Sequence, residues 1–196
     1  MTALVAYAST RWSTNGIAEE VGDRLMKAGV RASIRSMAEV LNLSCYDAVV
    51  LGSAEHNGAW LPQGAQFLAK HETELAARPV WLFSVSAVRA TSSLFGPRLT
   101  GLIRRTRKES QAVADARERL RVRGHRHFAG AIERGQWGRA ADLLLRVCGG
   151  LPRDHRDWRD VDEWTTSIAG QLLAIEWAKE RTRLRLVPPL PTRADR

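Results

Sequence analysis

The sequence has few cysteines, few lysines and no long apolar run. Its two cysteines, Cys45 and Cys148, exclude a disulfide framework and a cysteine-rich zinc site. No apolar run reaches the roughly 18–20 residues that a membrane-spanning helix needs. The N-terminal residues lack the basic region and the long apolar region of a signal peptide. From these absences we expect a cytoplasmic, single-domain protein.

Positive charge is carried almost entirely by arginine. Of the 30 basic residues 26 are Arg and 4 are Lys, and the formal net charge is +9. This surplus favours an anionic partner: a phosphate, a carboxylated ligand, a membrane surface or a nucleic acid. Because 44% of the residues are apolar, the chain is able to bury a core and is not disordered.

Short apolar runs alternate with longer segments of helical periodicity. The pattern predicts strands at 4–8, 30–35, 47–53, 79–84 and 127–132, and helices at 13–28, 61–77, 137–147 and 160–180. This alternation favours a parallel sheet with right-handed crossovers. We therefore predict a doubly wound α/β fold with a five-stranded parallel sheet in the order 2-1-3-4-5, in which ligands bind outside the carboxyl ends of the strands.

Two segments do not fit a minimal α/β unit. Residues 88–124, between the fourth and fifth predicted strands, hold ten Lys or Arg and three Asp or Glu, a local charge of +7. Residues 182–196 contain three prolines and predict an extended C-terminal tail. The domain is therefore expected to span 1–181, with 88–124 as a basic insertion.

The loop after the first predicted strand is rich in hydroxyl groups. Ser9, Thr10, Ser13 and Thr14 lie close together around Arg11, where the first helix begins. Hydroxyls and the backbone N–H groups of a helix N-terminus bind phosphate well. The loop therefore predicts an anion site, and the alternative is that Ser13 or Thr14 only caps the helix.

The loop after the third predicted strand, residues 53–58, places Glu55 next to His56. A carboxylate beside an imidazole is suited to general acid–base catalysis, so both are candidate catalytic residues. The alternative is that they hydrogen-bond to the loop backbone. Trp60 is expected to pack over the rim of the site or against the following helix.

His125 and His127 are spaced to lie on one face of a strand. A metal site needs at least one more ligand. His155, next to Asp154, is the nearest candidate and is distant in sequence. We therefore predict no metal site.

Several segments in order resemble the flavodoxin-domain family. They are 7–18, 46–54 with 58–62, 79–84, 125–132 and 156–164. The resemblance is closest to the branch that contains the menaquinone-dependent protoporphyrinogen oxidase. It implies an FMN cofactor bound by three loops. The implied cofactor-binding residues are Ser9, Thr10, Arg11, Trp12, Ser13, Thr14, Ser53, Ala54, His56, Asn57, Gly58, Ser84, Val85 and Ser86.

The chain departs from the family pattern once in each loop. Trp12 stands where relatives have Gly, His56 where they often have a stacking aromatic, and Ser84-Val85-Ser86 where they often have Ser-Gly-Pro. The leading interpretation is an FMN-dependent oxidoreductase acting on a quinone-like, aromatic or tetrapyrrole small molecule. The alternative is a flavodoxin fold without flavin that uses its cleft for non-redox chemistry or binding. A third is a non-catalytic protein that binds a membrane surface or an anionic polymer.

The basic insertion suggests how partners are bound. Residues 98–123 combine helically spaced apolar residues with Arg104, Arg105 and Arg107, which predicts a lid or docking helix for an anionic ligand or membrane surface. The alternative is a solvated helix. Nucleic acid is disfavoured because no reader motif accompanies the charge, and a homodimer is the default assembly.

Overall fold

The computed structural model describes residues 1–10, 12–86, 109–130 and 156–185. Its strands are β1 (Thr2–Ala8), β2 (Arg31–Ser36), β3 (Ala48–His56), β4 (Ala59–Trp60), β5 (Val80–Ser86) and β6 (Val122–Ala129). Its helices are α1 (Trp12–Lys27), α2 (Pro62–Lys70), α3 (Glu72–Ala76), α4 (Gln111–Arg119) and α5 (Trp158–Arg185), with one 3₁₀ turn at Met37–Glu39. None of the helices in these ranges is long and apolar enough to cross a membrane.

The sheet has the predicted topology. Five strands pair in parallel in the order β2-β1-β3-β5-β6, and the short β4 pairs antiparallel with the end of β3. The order reverses between β1 and β3, which is where sheets of this type bind ligands. The predicted parallel α/β fold is therefore confirmed.

Both faces of the sheet are covered, which explains why the central strands are continuously apolar. On one face α1 and α5 pack against β1, β3 and β5 through Ile17, Val21, Leu25, Val161, Ile168 and Leu172. On the other face α2, α3 and α4 contribute Phe67, Leu68, Leu75 and Val113. The helices on the two faces hold the sheet in place, and the candidate site lies at the carboxyl ends of its strands.

The basic insertion is shorter than expected from the sequence. Residues 109–124 belong to the α/β fold and not to an insertion. They include α4, whose Val113 and Ala116 are buried, and the start of β6. The fifth parallel strand thus begins at Val122 rather than at His127. The start of this strand was not predicted, because an edge strand with Arg and His side chains lacks the apolar run of a central strand. Residues 88–108, with six basic and no acidic residues, lie outside the described part of the chain.

Other boundaries also differ. The helix predicted over 61–77 is interrupted at the buried His71, so that α2 and α3 are separate. The last helix continues to Arg185, into the predicted tail. β3 runs through His56, so 53–56 is strand rather than loop. The helix predicted at 137–147 lies outside the described residues.

Candidate functional site

The carboxyl ends of four parallel strands bring the predicted loops together. Ala8 of β1 pairs with Ser53 of β3, Ser53 with Ser84 of β5, and Ser84 with His127 of β6. These residues form one row across the sheet, just below the ends of the strands. The segments that the sequence identified separately are therefore neighbours at one edge.

The β1–α1 connection has the features of an anion site. Thr14 is fully buried, and its Oγ1 has no hydrogen-bond partner among the described residues. The first turn of α1 contains no acidic side chain, so the positive end of its dipole is not neutralised there. A bound anion would accept the hydroxyl hydrogen bond that the described protein atoms do not. This part of the site fits a phosphate group.

The other residues of this connection differ in exposure. Ser9 and Ser13 are half-buried and Thr10 is exposed. The Trp12 side chain is 78% exposed at the first residue of α1, so its indole is not part of the core. Arg11 lies outside the described residues.

A series of hydrogen bonds lies beneath the strand ends, buried at Trp60 and Ser84 and reaching the surface at Glu109. The Nε1–H of Trp60 donates to Ser84 Oγ (2.7 Å), and Ser84 Oγ lies 2.9 Å from His125 Nε2. On the other side of the ring, His125 Nδ1 is 3.0 Å from Glu109 Oε1, which also accepts from Arg117 Nε at 3.1 Å. These hydrogen bonds connect β4, β5, β6 and the segment before α4.

These hydrogen bonds determine which ring nitrogen of His125 carries the proton. A carboxylate only accepts hydrogen bonds, so Nδ1 carries the proton toward Glu109. Burial, followed by the charge of His127, lowers the pKa of His125 to about 4, although Glu109 acts in the opposite direction. The ring is therefore neutral at pH 7, and Nε2 accepts the hydroxyl proton of Ser84.

The structure changes the expected acid–base pair. Glu55 and His56 lie on opposite faces of β3, as neighbours in a strand do, and His56 is exposed. The Glu55 side chain is only 2% exposed, and its Oε1 lies 3.7 Å from Nδ1 of His127 on β6. The predicted Glu55–His56 pair is thus replaced by Glu55 and His127.

Several predicted cofactor residues have structural roles. Ser53 Oγ accepts from the backbone N–H of Leu61 and donates to the Ala54 carbonyl. Asn57 and Gly58 form the β3–β4 turn with φ of 52° and 80°, which a two-residue hairpin of this kind requires.

The three residues at the end of β5 are all buried. Val85 belongs to the core, and the Ser84 hydroxyl is already engaged in the series of hydrogen bonds beneath the strand ends. Ser86 is 4% exposed, and its carbonyl accepts from Gly130 N–H. Trp60 is 4% exposed and packs in the core, where its Cε3 lies 3.1 Å from the position of a Cβ on Gly64 of α2, so the expectation that it packs against the following helix is confirmed.

Sequence reasoning missed Glu109 and the partner of Glu55. The alternation of His125 and His127 was a usable signal, and their rings do share a face, with centroids 4.3 Å apart. Glu109 gave no signal, because the surrounding residues were assigned to the basic insertion. Within the described ranges, no group of three or more His, Cys, Asp or Glu is placed to hold a metal ion.

Comparisons with known proteins agree with this fold. A family model described as the flavodoxin domain matches residues 4–143. The search of curated proteins finds no match. Flavodoxin 2 from Bacillus cereus, in its oxidised form, is 20% identical, with a TM-score of 0.54 over 87% of this chain and 99% of its own.

Two further solved structures are similar. A mutant flavodoxin from Pseudomonas aeruginosa is 14% identical, with a TM-score of 0.54 over 87% of this chain and 97% of its own. A mutant flavo di-iron protein from Thermotoga maritima is 12% identical, with a TM-score of 0.54 over 87% of this chain and 36% of its own. At these identities the likeness supports the fold alone. The family match, however, spans well over half of the chain, which therefore belongs to the flavodoxin domain family.

Proposed function

We propose that this protein is an FMN-dependent oxidoreductase that acts on a quinone-like, aromatic or tetrapyrrole small molecule, as in the protoporphyrinogen oxidase branch that the sequence resembles. Membership of the flavodoxin domain family supports a flavin-binding redox role. The observation that carries the proposal is the buried Thr14 hydroxyl, which has no partner among the described residues and lies in the first turn of α1.

The residues at the carboxyl edge fit FMN in chemical type. Thr14, with Ser9, Ser13 and the N-terminus of α1, would hold the phosphate group. His56 and Trp12 are exposed aromatic side chains at this edge and are available to a planar ring. When bound, FMN supplies the electron chemistry, and the protein supplies binding, orientation and protons.

Charge favours an enzyme with an anionic substrate over an electron carrier. The net charge of +9 selects partners of negative charge. Residues 88–108, with six basic and no acidic residues, come two residues after Ser86, the last residue of β5. We propose that they capture a carboxylated ligand or contact an anionic membrane surface, in a cytoplasmic protein that forms a homodimer.

This role for the basic segment is tested by salt. Arg104, Arg105 and Arg107 changed together to Gln, and high ionic strength, should each weaken binding to anionic ligands and vesicles, because exposed charges are screened over about 8 Å at physiological salt. Flat affinities in both experiments would show that the segment is only a solvated element.

The absorption spectrum of the purified protein tests the proposed cofactor. Bound flavin gives bands near 370 and 450 nm (approximate values that belong to the cofactor), and heat release followed by chromatography distinguishes FMN from riboflavin. A colourless protein that takes up no FMN on reconstitution would favour the alternative of a flavin-free fold that binds or converts a small molecule without redox chemistry.

A further inference from the structure

We propose that His127, positioned by the buried carboxylate of Glu55, exchanges a proton with the substrate, so that the site serves proton-coupled two-electron chemistry and not electron transfer alone. The inference rests on the proposed function and extends it. It assigns the proton-transfer step to side chains of this chain and selects a class of substrate.

The first support is the way in which two distant strands meet. Glu55 comes from β3 and His127 from β6, and β5 runs between them. On the shared face β5 presents only Ser84 and Ser86 near its carboxyl end, as strand alternation requires. Small side chains on β5 let the carboxylate and the imidazole approach to 3.7 Å across it. A bulky residue at either serine would separate them.

The second support is the contrast in exposure within the pair. The side chain of Glu55 is 2% exposed, whereas that of His127 is 32% exposed. A buried carboxylate beside a more accessible imidazole stabilises the protonated ring and orients it, while the ring itself remains within reach of a ligand. In the absence of ligand such contacts are often longer than a hydrogen bond.

The third support is the division of roles between the two histidines. Among the described residues, the charged groups that face the two histidines include Glu55 on β3, Glu109 before α4 and Arg117 on α4. Two imidazoles with centroids 4.3 Å apart do not both hold a charge readily. His125, with a pKa lowered to about 4 chiefly by burial, stays neutral. Of the two imidazoles, the proposal therefore gives the role of proton donor to His127.

The end of β6, beyond His127, lies close to the predicted phosphate loop. β6 is followed by Gly130, and a Cβ at that residue would lie 3.4 Å from Ser13 Oγ. The strand that carries His127 therefore ends against the start of α1. A ligand that bridges the two would lie along the carboxyl edge.

The reaction that needs such a group is the reduction of a quinone to a hydroquinone. It adds two electrons and two protons. A reduced flavin, when bound, would supply the electron pair and one proton together as a hydride, and Nε2–H of His127 would give the second proton to a quinone oxygen. His127 then recovers its proton from water. A one-electron acceptor such as ferricyanide takes up no proton and does not need His127.

NMR titration of the imidazoles tests the pair without relying on turnover. Glu55→Gln should shift the His127 titration to lower pH, because the carboxylate that stabilises the imidazolium is lost. The matched control is Glu74→Gln, which removes the carboxylate from the other His–Glu pair, where Glu74 Oε1 lies 2.9 Å from His71 Nδ1. The control should leave His127 unchanged. An unshifted His127 in Glu55→Gln would overturn the inference.

Kinetics with two acceptors provide the second readout. In His127→Gln we expect quinone reduction to fall about a hundredfold, while ferricyanide reduction by the same flavin-loaded protein stays within about twofold. An equal loss with both acceptors, or no loss with either, would contradict the assignment. A protein that binds no flavin would overturn the proposed function as well, whereas a flavin-loaded protein with unchanged quinone rates would overturn only this inference.

Discussion

The indole N–H of Trp60 donates to the hydroxyl oxygen of Ser84 across 2.7 Å, and both residues are buried. The bond joins the β3–β4 hairpin to β5. The hydrogen bonds continue from Ser84 to His125 and from His125 to Glu109, which directly precedes Ser110 and α4. Ser110 in turn accepts from the backbone N–H of Trp60. The strand ends that carry the candidate site are thus held by one polar network, which is buried at Trp60, Ser84 and Ser110.

The contribution of this bond is measurable by substitution. Trp60→Phe keeps most of the packing but leaves Ser84 without its donor, so we expect a loss of about 1–2 kcal/mol in the free energy of unfolding. Urea denaturation measures it. Trp177→Phe is the matched control, because Trp177 is 71% exposed, and it should change stability very little. Equal effects of the two changes would show that the buried bond contributes nothing.

Stability should depend on pH through His125. Its pKa in the folded state is lowered to about 4, from an ordinary value of 6.5, chiefly by burial. Between these values the unfolded chain binds more protons than the folded one, so stability should fall as the pH drops from 6.5 to 4. The effect is on the order of 2–3 kcal/mol. His125→Gln should flatten this part of the thermal-stability profile, and an unchanged profile would contradict it.

A substitution at Thr14 tests the proposed cofactor binding separately from folding. Thr14→Val removes the buried hydroxyl but keeps the shape of the side chain. Since that hydroxyl has no partner within the described ranges, the unliganded protein should be as stable as wild type or more so. Binding of FMN should nevertheless weaken by roughly 1–3 kcal/mol. Thr182→Val, on the exposed end of α5, is the control. Calorimetry and thermal unfolding together provide the test, which fails if FMN affinity is unchanged.

Gly52 is required for close packing within the sheet. A Cβ at this position would lie 1.9 Å from Cζ of Phe83 on the neighbouring strand. Gly52→Ala should therefore destabilise the fold by about 1–3 kcal/mol, the usual cost of overpacking a core. Combining it with Phe83→Leu should recover part of the loss. Simple additivity of the two changes in denaturation experiments would show that the ring and the glycine do not interact.

The sequence predicted those parts of the fold whose signal is local. β1, β3 and β5 are buried on both faces, so each is a continuous apolar run. β6 was only partly recognised, because an edge strand with arginines and histidines lacks that signal. The break between α2 and α3 comes from His71, which is 3% exposed and pairs with Glu74. No periodicity indicates it.

The candidate site was predicted in location but not in its pairings. Strand ends and hydroxyl-rich segments are visible in sequence, and strand order brings them to one edge. The contact of Glu55 with His127 depends on the position of β5 between them and on the serines at its end. Such a contact depends on tertiary structure. His56 was predicted as the partner of Glu55 because it is the next residue in sequence, whereas His127 is the histidine that lies close to Glu55 in the fold.

A titration of the cofactor-free protein with FMN and, separately, with riboflavin tests the central claim most directly. At the proposed anion site at the start of α1, the phosphate would contribute binding energy in addition to that of the flavin ring. We expect FMN to bind with one-to-one stoichiometry and riboflavin at least about tenfold more weakly, a difference of about 1.4 kcal/mol. Equal affinities for the two flavins, or no binding of either, would contradict the account.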